Sequence, residues 1–135
     1  MKLTQIRNAT ILIEFSDGKM IIDPMLARKG SLPKLRYYKS GERNPLSELP
    51  DVFSKYKGNI DYALITHCQK GHFDHLDRAG VRWLVKHQIP TFCTPRDEKY
   101  LGKKQILTRV LAQKRSTFFG GFIERIPATH TRGWL

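Results

Sequence analysis

An apolar run that ends directly in a group of histidines and aspartates constrains this chain more than any other feature. Residues 60–66 (Ile-Asp-Tyr-Ala-Leu-Ile-Thr) are rich in β-branched and aromatic side chains and predict a buried strand. His67 follows at once, and further histidines and aspartates stand between positions 72 and 77. A loop at the end of a strand can turn such side chains towards one point, so we expect a functional site there.

This cluster carries the donor atoms of a transition-metal site. Its members are His67, His72, Asp74, His75 and Asp77. Imidazole nitrogens and carboxylate oxygens are the ligands that zinc, iron and manganese take in proteins. Because Asp74 and His75 are adjacent, their side chains point to opposite sides, and one segment could serve two neighbouring metals. A pair of ions of this kind activates water near neutral pH.

A structural role is the alternative for several of the polar side chains. His87 stands alone on a predicted helix, where we expect a surface or packing role. Cys68 is expected to be a small buried thiol rather than a soft metal ligand, and Asp77 can cap a helix. The cluster as a whole resists this interpretation, because buried carboxylates without a cation are costly.

The rest of the chain predicts a mixed α/β fold. The first third predicts a β-meander, with strands at residues 3–6, 10–15 and 19–22. Residues 26–50 predict a long basic loop, rich in glycine and proline. The second half alternates strands and helices: a helix after Asp77, a strand at 89–93, a helix from Pro95 to Gly102, and strands at 106–111 and 122–126 joined by Gly120-Gly121. This order predicts α/β layers around a mixed sheet.

The charge of the chain favours anionic partners. It has 24 Lys and Arg against 12 Asp and Glu, a net charge of +12. Residues 28–43 hold six basic side chains and one acidic side chain, and residues 96–115 hold seven and two, so each segment carries a net +5. Nucleic acid, phospholipid headgroups and phosphorylated small molecules are the partners that such a balance suggests.

Composition also bears on location. No apolar run approaches the roughly 18–20 residues that a bilayer helix needs, so we expect no transmembrane segment. The first residues alternate polar and apolar, which is not the pattern of a signal peptide. We therefore expect a cytoplasmic protein in which Cys68 and Cys93 are reduced thiols.

Several motifs resemble one known family. Thr66-His67, followed by His72-Phe73-Asp74-His75-Leu76-Asp77, resembles the His-x-His-x-Asp-His signature of the metallo-β-lactamase superfamily. Residues 7–14, 22–25, 44–50 and 126–130 are similar to segments of the branch that contains ascorbate-6-phosphate lactonase and N-acyl-phosphatidylethanolamine phospholipase D. The resemblance extends over almost all of the chain.

The resemblance implies a set of metal ligands. His72 would bind the first metal, Asp74 and His75 the second, and His130 would complete the ligands of the first. Asp74 would also hold the attacking water, as the catalytic residue. Asp23 resembles the acidic residue that ends an early strand and orients the ligands through a hydrogen bond. Zinc is the expected ion, with manganese and iron as alternatives, and one or two ions would bind.

The spacing of the first ligand departs from the family pattern. In the family the first histidine precedes the second by two residues, where this chain has Lys70. His67 precedes His72 by five, so three extra residues occupy the loop. We expect a bulge hinged at Gly71 to return His67 to the metal. The alternative is that the first ligand is lost and the Lys70 cation opposes a metal there.

The resemblance also implies which part of the fold is present. Family members continue for roughly as many residues again, so we expect residues 1–135 to form the N-terminal half of an αββα sandwich. This half is a mixed sheet with helices on one face, a metal loop at 66–77 and a further ligand segment at 126–133. A truncated product, a fragment and one part of a split assembly are all compatible with it. An uncovered sheet would favour self-association.

The implied function is metal-dependent hydrolysis. The bond cleaved would be an ester, lactone or phosphodiester, in a small anionic substrate or a phospholipid, and the loop at 28–43 would lie near the anion. The alternative is a catalytically inactive basic module that binds nucleic acid or phospholipid. Nucleic acid is the weaker candidate, because no basic motif interleaved with aromatic residues is present.

Overall fold

The computed structural model describes residues 1–34, 41–69 and 72–127. Its elements, in chain order, are β1 (Lys2–Gln5), β2 (Ile11–Phe15), β3 (Gly18–Ile22), α1 (Asp51–Tyr56), β4 (Tyr62–Leu64), α2 (Arg78–Lys86), β5 (Thr91–Cys93), α3 (Pro95–Gly102), β6 (Thr108–Val110), β7 (Arg115–Phe118) and β8 (Gly121–Glu124). None of the helices in these ranges has the length and apolar content to cross a bilayer.

A six-stranded mixed sheet organises the molecule. The strands lie in the order β1-β2-β3-β4-β5-β6, and β7 and β8 form a separate two-stranded sheet. The first three strands are the predicted antiparallel meander, whereas β3, β4, β5 and β6 run parallel. Ile22 pairs with Leu64, and Leu64 pairs with Phe92, so three parallel strands end at the same edge. The residues that follow these strands are therefore neighbours.

The helices cover one face of the sheet. Because side chains alternate along a strand, Leu12, Ile21 and Ala63 point to the same side, and all three are fully buried. Leu84 of α2 and Leu101 of α3 belong to the same apolar cluster. The predicted arrangement, a mixed sheet with helices on one face, is confirmed.

An aromatic hairpin covers part of the opposite face. The β7–β8 hairpin brings Phe118 and Phe119 against Phe15, Tyr62 and Phe92. Other apolar side chains on this face are half-buried, among them Ile11, Ile13, Ile22 and Leu64. Self-association through this face stays a prediction.

Helix α2 begins where the sequence predicts and packs unusually close to a loop. Asp77 is its N-cap residue, and the side chain accepts a hydrogen bond from the Gly80 N–H at 2.7 Å. A Cβ added at Gly80 would overlap the Pro24 carbonyl oxygen. The absence of a side chain at Gly80 therefore lets α2 approach the loop that follows β3.

The structure adds two elements that the pattern did not predict. Helix α1 (Asp51–Tyr56) follows the long loop and buries Phe53. Strand β7 (Arg115–Phe118) begins with polar residues, so its short alternation of polar and apolar side chains does not stand out as a strand in the sequence. Gly120 lies in the turn between β7 and β8, and not between β6 and β8 as predicted. The other strands lie inside the predicted ranges or within a residue of them.

We predict that Gly80→Ala destabilises the fold. Its methyl group must displace the Pro24 carbonyl, and overpacking of this kind costs about 1–3 kcal/mol. Gly102→Ala is the matched control, because Gly102 is also helical and nothing lies within 4 Å of an added Cβ. Thermal or denaturant unfolding should show a loss for Gly80→Ala and none for Gly102→Ala. Equal stability of the two variants would contradict the close approach.

Candidate metal centre

A buried carboxylate joins the ends of two parallel strands. Asp23 follows β3 with a φ of 47°, and the residue is only 3% exposed. Its Oδ1 accepts the Thr66 backbone N–H at 2.8 Å, and its Oδ2 accepts the Thr66 hydroxyl at 2.6 Å. Thr66 lies just beyond β4, so these two bonds fix the start of the histidine loop relative to the neighbouring strand.

The backbone around Asp23 is held as firmly as its side chain. The Asp23 N–H donates to the Leu64 carbonyl at 2.9 Å, and the Thr10 hydroxyl donates to the Asp23 carbonyl at 2.7 Å. The buried Arg7 guanidinium donates to the carbonyls of Met25 and Ala27. The loop that carries Asp23 is thus fixed from both sides.

Asp23 also orients one of the predicted ligands. Its Oδ2 lies 2.8 Å from His75 Nδ1. Burial lowers the pKa of His75, but the hydrogen bond and charge of Asp23, with the charge of Asp74, outweigh it and raise the pKa overall. In the neutral imidazole this bond places the proton on Nδ1. The lone pair of Nε2 is then available to a metal, which is the arrangement that carboxylate-bound histidine ligands adopt.

The structure brings three of the predicted histidines together. The ring centroid of His67 lies 3.9 Å from that of His75 and 4.7 Å from that of His72. The rings of His72 and His75 are 6.2 Å apart. His67 is therefore part of the cluster despite its longer spacing in the sequence.

Asp74 lies between two of these rings. Its Oδ1 is 4.0 Å from His72 Nδ1, and its Oδ2 is 3.8 Å from His75 Nε2. The side chain is 22% exposed, which leaves it open to a water molecule. Of the predicted ligands, His130 lies outside the described residues, as do the inserted Lys70 and the hinge Gly71.

The Cys68 thiol lies against Asp97 of α3. Cys68 is buried, and its backbone N–H and thiol lie 3.4 and 3.8 Å from Asp97 Oδ1. Burial, followed by the charge of Asp97, raises the pKa of the thiol to about 12. A thiol in these surroundings stays protonated at neutral pH, which agrees with a structural role. The lone His87 packs near the Trp83 ring, at 5.8 Å.

The donor atoms of this cluster are of the kind that bind a metal ion, but in the described residues they are not arranged as a coordination sphere. Within residues 1–34, 41–69 and 72–127, no group of three or more His, Cys, Asp or Glu side chains is arranged to hold an ion. The fit lies in the set itself: three imidazoles beside one carboxylate, with His75 already held by Asp23. The assignment of these residues as metal ligands stays a prediction.

Three residues that position the site were not identified from the sequence. Thr66 supplies two donors to Asp23, Asp97 holds the backbone of Cys68, and Arg7 holds the loop after Asp23. The Thr94-x-x-Asp97 spacing at the start of α3 is a capping pattern that could have drawn attention to Asp97. Arg7 and Thr66 lie in segments that carry the family resemblance, but nothing in the local pattern indicates their roles as hydrogen-bond donors.

The mixed sheet, the helices on one face and the histidine loop beyond β4 define the metallo-β-lactamase class of fold. No protein-family model matches the chain. It is 31% identical over 134 residues to the UPF0173 protein YddR of Bacillus subtilis (strain 168), covering 98% of this chain and 52% of the relative. Over nearly all of its own length the chain is thus similar to a UPF0173 protein, and the predicted resemblance to the metallo-β-lactamase superfamily is confirmed.

Two solved structures agree with this assignment. They are the isothiocyanate hydrolase from Delia radicum gut bacteria, at 30% identity, and a possible metal-dependent hydrolase from Veillonella parvula DSM 2008, at 26% identity. Each has a TM-score of 0.74 and covers 87% of this chain and 44% of the other. The chain therefore spans about half the length of these relatives, which agrees with the expected N-terminal half. The lactonase and phospholipase D branch stays a prediction.

We predict that Thr66 and Asp23 are energetically coupled. Thr66→Val keeps the shape of the side chain but removes a donor to a buried carboxylate, so it should cost about 1–3 kcal/mol of unfolding free energy. A double-mutant cycle with Asp23→Asn should give a coupling of about 0.5–3 kcal/mol. Thr117→Val, at an exposed position of β7, is the control and should change stability by less than about 0.5 kcal/mol. Additive losses at Thr66 and Asp23 would rule out the coupling.

Proposed function

We propose that this chain supplies the metal-binding half of a metal-dependent hydrolase. The observation that carries the proposal is the convergence of the His67, His72 and His75 rings beside Asp74, with His75 hydrogen-bonded to the buried Asp23. Three imidazoles and one carboxylate gathered in this way are polar groups, which contribute little to an apolar core. Its chemistry is that of a ligand set.

The proposed ligands serve one or two ions. His67, His72 and His130 would hold the first, and Asp74 and His75 the second; zinc is the expected metal, with manganese and iron as alternatives. The bound metal would polarise the scissile bond and lower the pKa of water, so that hydrolysis can proceed at neutral pH. The substrate would be an ester, lactone or phosphodiester with an anionic group.

The side chains have separate tasks in this reaction. Asp74, which is partly exposed, would accept a hydrogen bond from the attacking water and orient it. Asp23 would keep His75 in one tautomer and one orientation, because its Oδ2 accepts from Nδ1. Thr66 would in turn fix Asp23 through its N–H and hydroxyl.

The wider assignments are also proposals. We propose that residues 1–135 form one metallo-β-lactamase-like domain half and that the protein is cytoplasmic. Phospholipid is an alternative substrate. The alternative of an inactive basic module for nucleic acid stays a prediction, since no contact among the described residues favours it.

We predict that the purified chain binds zinc, manganese or iron and that this binding depends on the cluster. Elemental analysis after dialysis should find metal in the wild-type protein. His72→Ala and Asp74→Ala should lose most of it, because each removes a ligand. His87→Ala should retain it, since His87 lies on α2 beside Trp83.

The same samples test the hydrolase. Metal-loaded wild type should hydrolyse at least one of 4-nitrophenyl acetate, a γ-lactone and bis(4-nitrophenyl) phosphate faster than Asp74→Ala does. Trace metal in the wild type, or equal metal content in His72→Ala, would rule out the proposed ligand set. Metal binding without turnover would limit the proposal to a metal-binding domain half.

We further predict a selective effect at Asp23. Asp23→Asn keeps the size of the side chain but weakens the bond that orients His75, so zinc affinity should fall about 10–100-fold. Competition with a chromophoric chelator measures this change. Asp17→Asn, in the exposed turn between β2 and β3, is the matched control and should leave the affinity unchanged. Equal affinities in the two variants would contradict the orienting role of Asp23.

A further inference from the structure

A cleft lies beside the histidine cluster, on the side of α2 and α3. It has a volume of about 760 Å³, and His72 forms part of its wall. Leu32, Phe73, Val81 and Tyr100 supply apolar surface to its lining, and each of them is half-buried. The cleft can therefore take an apolar group next to the proposed reaction centre.

Three cations line the same cleft. Arg78 and Arg82 stand one turn apart on α2, and Lys104 follows α3, with its Nζ 4.6 Å above the centre of the Tyr100 ring. Within the described part of the chain, neither arginine forms an ion pair with a carboxylate. The cationic groups are thus available to an anion that enters the cleft.

The position of the two arginines is electrostatically unfavourable for the helix itself. Like charges four residues apart repel each other on a helix surface. Arg78 also occupies the first turn of α2, which has no acidic residue and where the helix dipole disfavours a cation. A bound anion would relieve the repulsion between the two arginines and would add to the Asp77 carboxylate at the N-cap in offsetting the helix dipole.

Among the described residues that line the cleft, the one carboxylate is already hydrogen-bonded. Asp77 is 2% exposed, and its two oxygens accept the N–H groups of Gly80 and Ala27, each at 2.7 Å. It caps α2 and fixes the loop after β3, so it is not arranged to pair with Arg82 across the cleft. The basic character of the cleft is therefore retained.

A second cavity continues the basic wall. It has a volume of about 430 Å³, shares Leu32, Arg78 and Arg82 with the first, and adds Arg28. The two cavities meet along these shared side chains. Cations thus line both cavities, and the first of the two also borders His72.

We propose that this cleft binds the acidic group of a small amphipathic anion, a molecule with a carboxylate, phosphate or sulfonate joined to an apolar body. Arg78, Arg82 and Lys104 bind the acidic group, and the apolar lining takes the body. The inference deepens the proposed hydrolase function, because a molecule held there lies beside His72. A concave, partly apolar site suits a small molecule better than a nucleic acid, because proteins bind nucleic-acid phosphates on open basic surfaces.

The test uses 8-anilinonaphthalene-1-sulfonate as the anionic probe and N-phenyl-1-naphthylamine as its uncharged analogue. The cleft variant is Arg78→Gln/Arg82→Gln/Lys104→Gln. The control is Lys86→Gln/Lys99→Gln/Lys103→Gln, which removes the same charge from α2, α3 and the residue after α3, at exposed positions outside the cleft. All substituted residues are on the surface or half-buried, and cooperative thermal unfolding checks each fold.

We expect the loss of affinity to depend on the charge of the probe and on the position of the substituted residues. The sulfonate probe should bind the cleft variant at least about tenfold more weakly, the loss expected from one or more charge-assisted hydrogen bonds. The control variant should bind it within about twofold of wild type, since exposed charges outside the site interact weakly. The uncharged probe should bind all three proteins alike.

Three results would overturn the inference. Equal losses of affinity for the sulfonate probe in the two triple variants would show that the effect depends on net charge alone. An unchanged affinity of the cleft variant would place the probe elsewhere, for example on the half-buried sheet face. If the cleft variant binds a DNA duplex more weakly than wild type does but binds the sulfonate probe equally well, the cations form a nucleic-acid surface instead.

Metal-free protein separates this inference from the proposed function. All titrations are run after metal has been removed by chelation and dialysis, because the cleft cations need no metal. Selective probe binding by a protein that takes up no metal would reject the hydrolase and keep the anion cleft. Normal metal binding with unselective probe binding would reject the cleft and keep the ligand set.

Discussion

The hydrogen bonds of the Asp23 carboxylate are the interaction on which the rest of the site depends. They link the end of β3 to Thr66 beyond β4 and to His75 in the histidine loop. A buried carboxylate is costly unless its oxygens are paired, so each of these donors contributes to the stability of the fold. Sheet register and site geometry are therefore coupled: moving one strand would leave a buried charge without its partners.

Much of the fold was predictable because its signals are local. The hairpin between β2 and β3, the Asp77 cap of α2 and the proline at the start of α3 each depend on a few adjacent residues. The histidine cluster was predictable for the same reason, since it follows a β-branched run directly. What could not be predicted depends on residues far apart in sequence, such as Arg7 with Ser47 and Cys68 with Asp97.

The arrangement of the charged side chains in space could not be predicted from the sequence either. Counting along the chain assigned the excess to residues 28–43 and 96–115. The cleft beside His72 instead combines Arg78 and Arg82 of α2, which lie in neither segment, with Lys104, which lies in the second. Counting charges along the sequence gives the amount of charge in each segment but not which side chains meet. The fold decides which cations meet, because it places residues distant in sequence around one cavity.

The longer spacing between His67 and His72 need not remove the first ligand. The Cys68 N–H faces Asp97 at 3.4 Å, which fixes the chain just after His67, and the His72 N–H donates to the Gln69 carbonyl at 2.9 Å. That second bond brings the two sides of the insertion together, so the extra residues do not separate the rings. Coordination by His67 stays a prediction; its ring lies 4.7 Å from that of His72, the other proposed histidine ligand of the first metal within the loop.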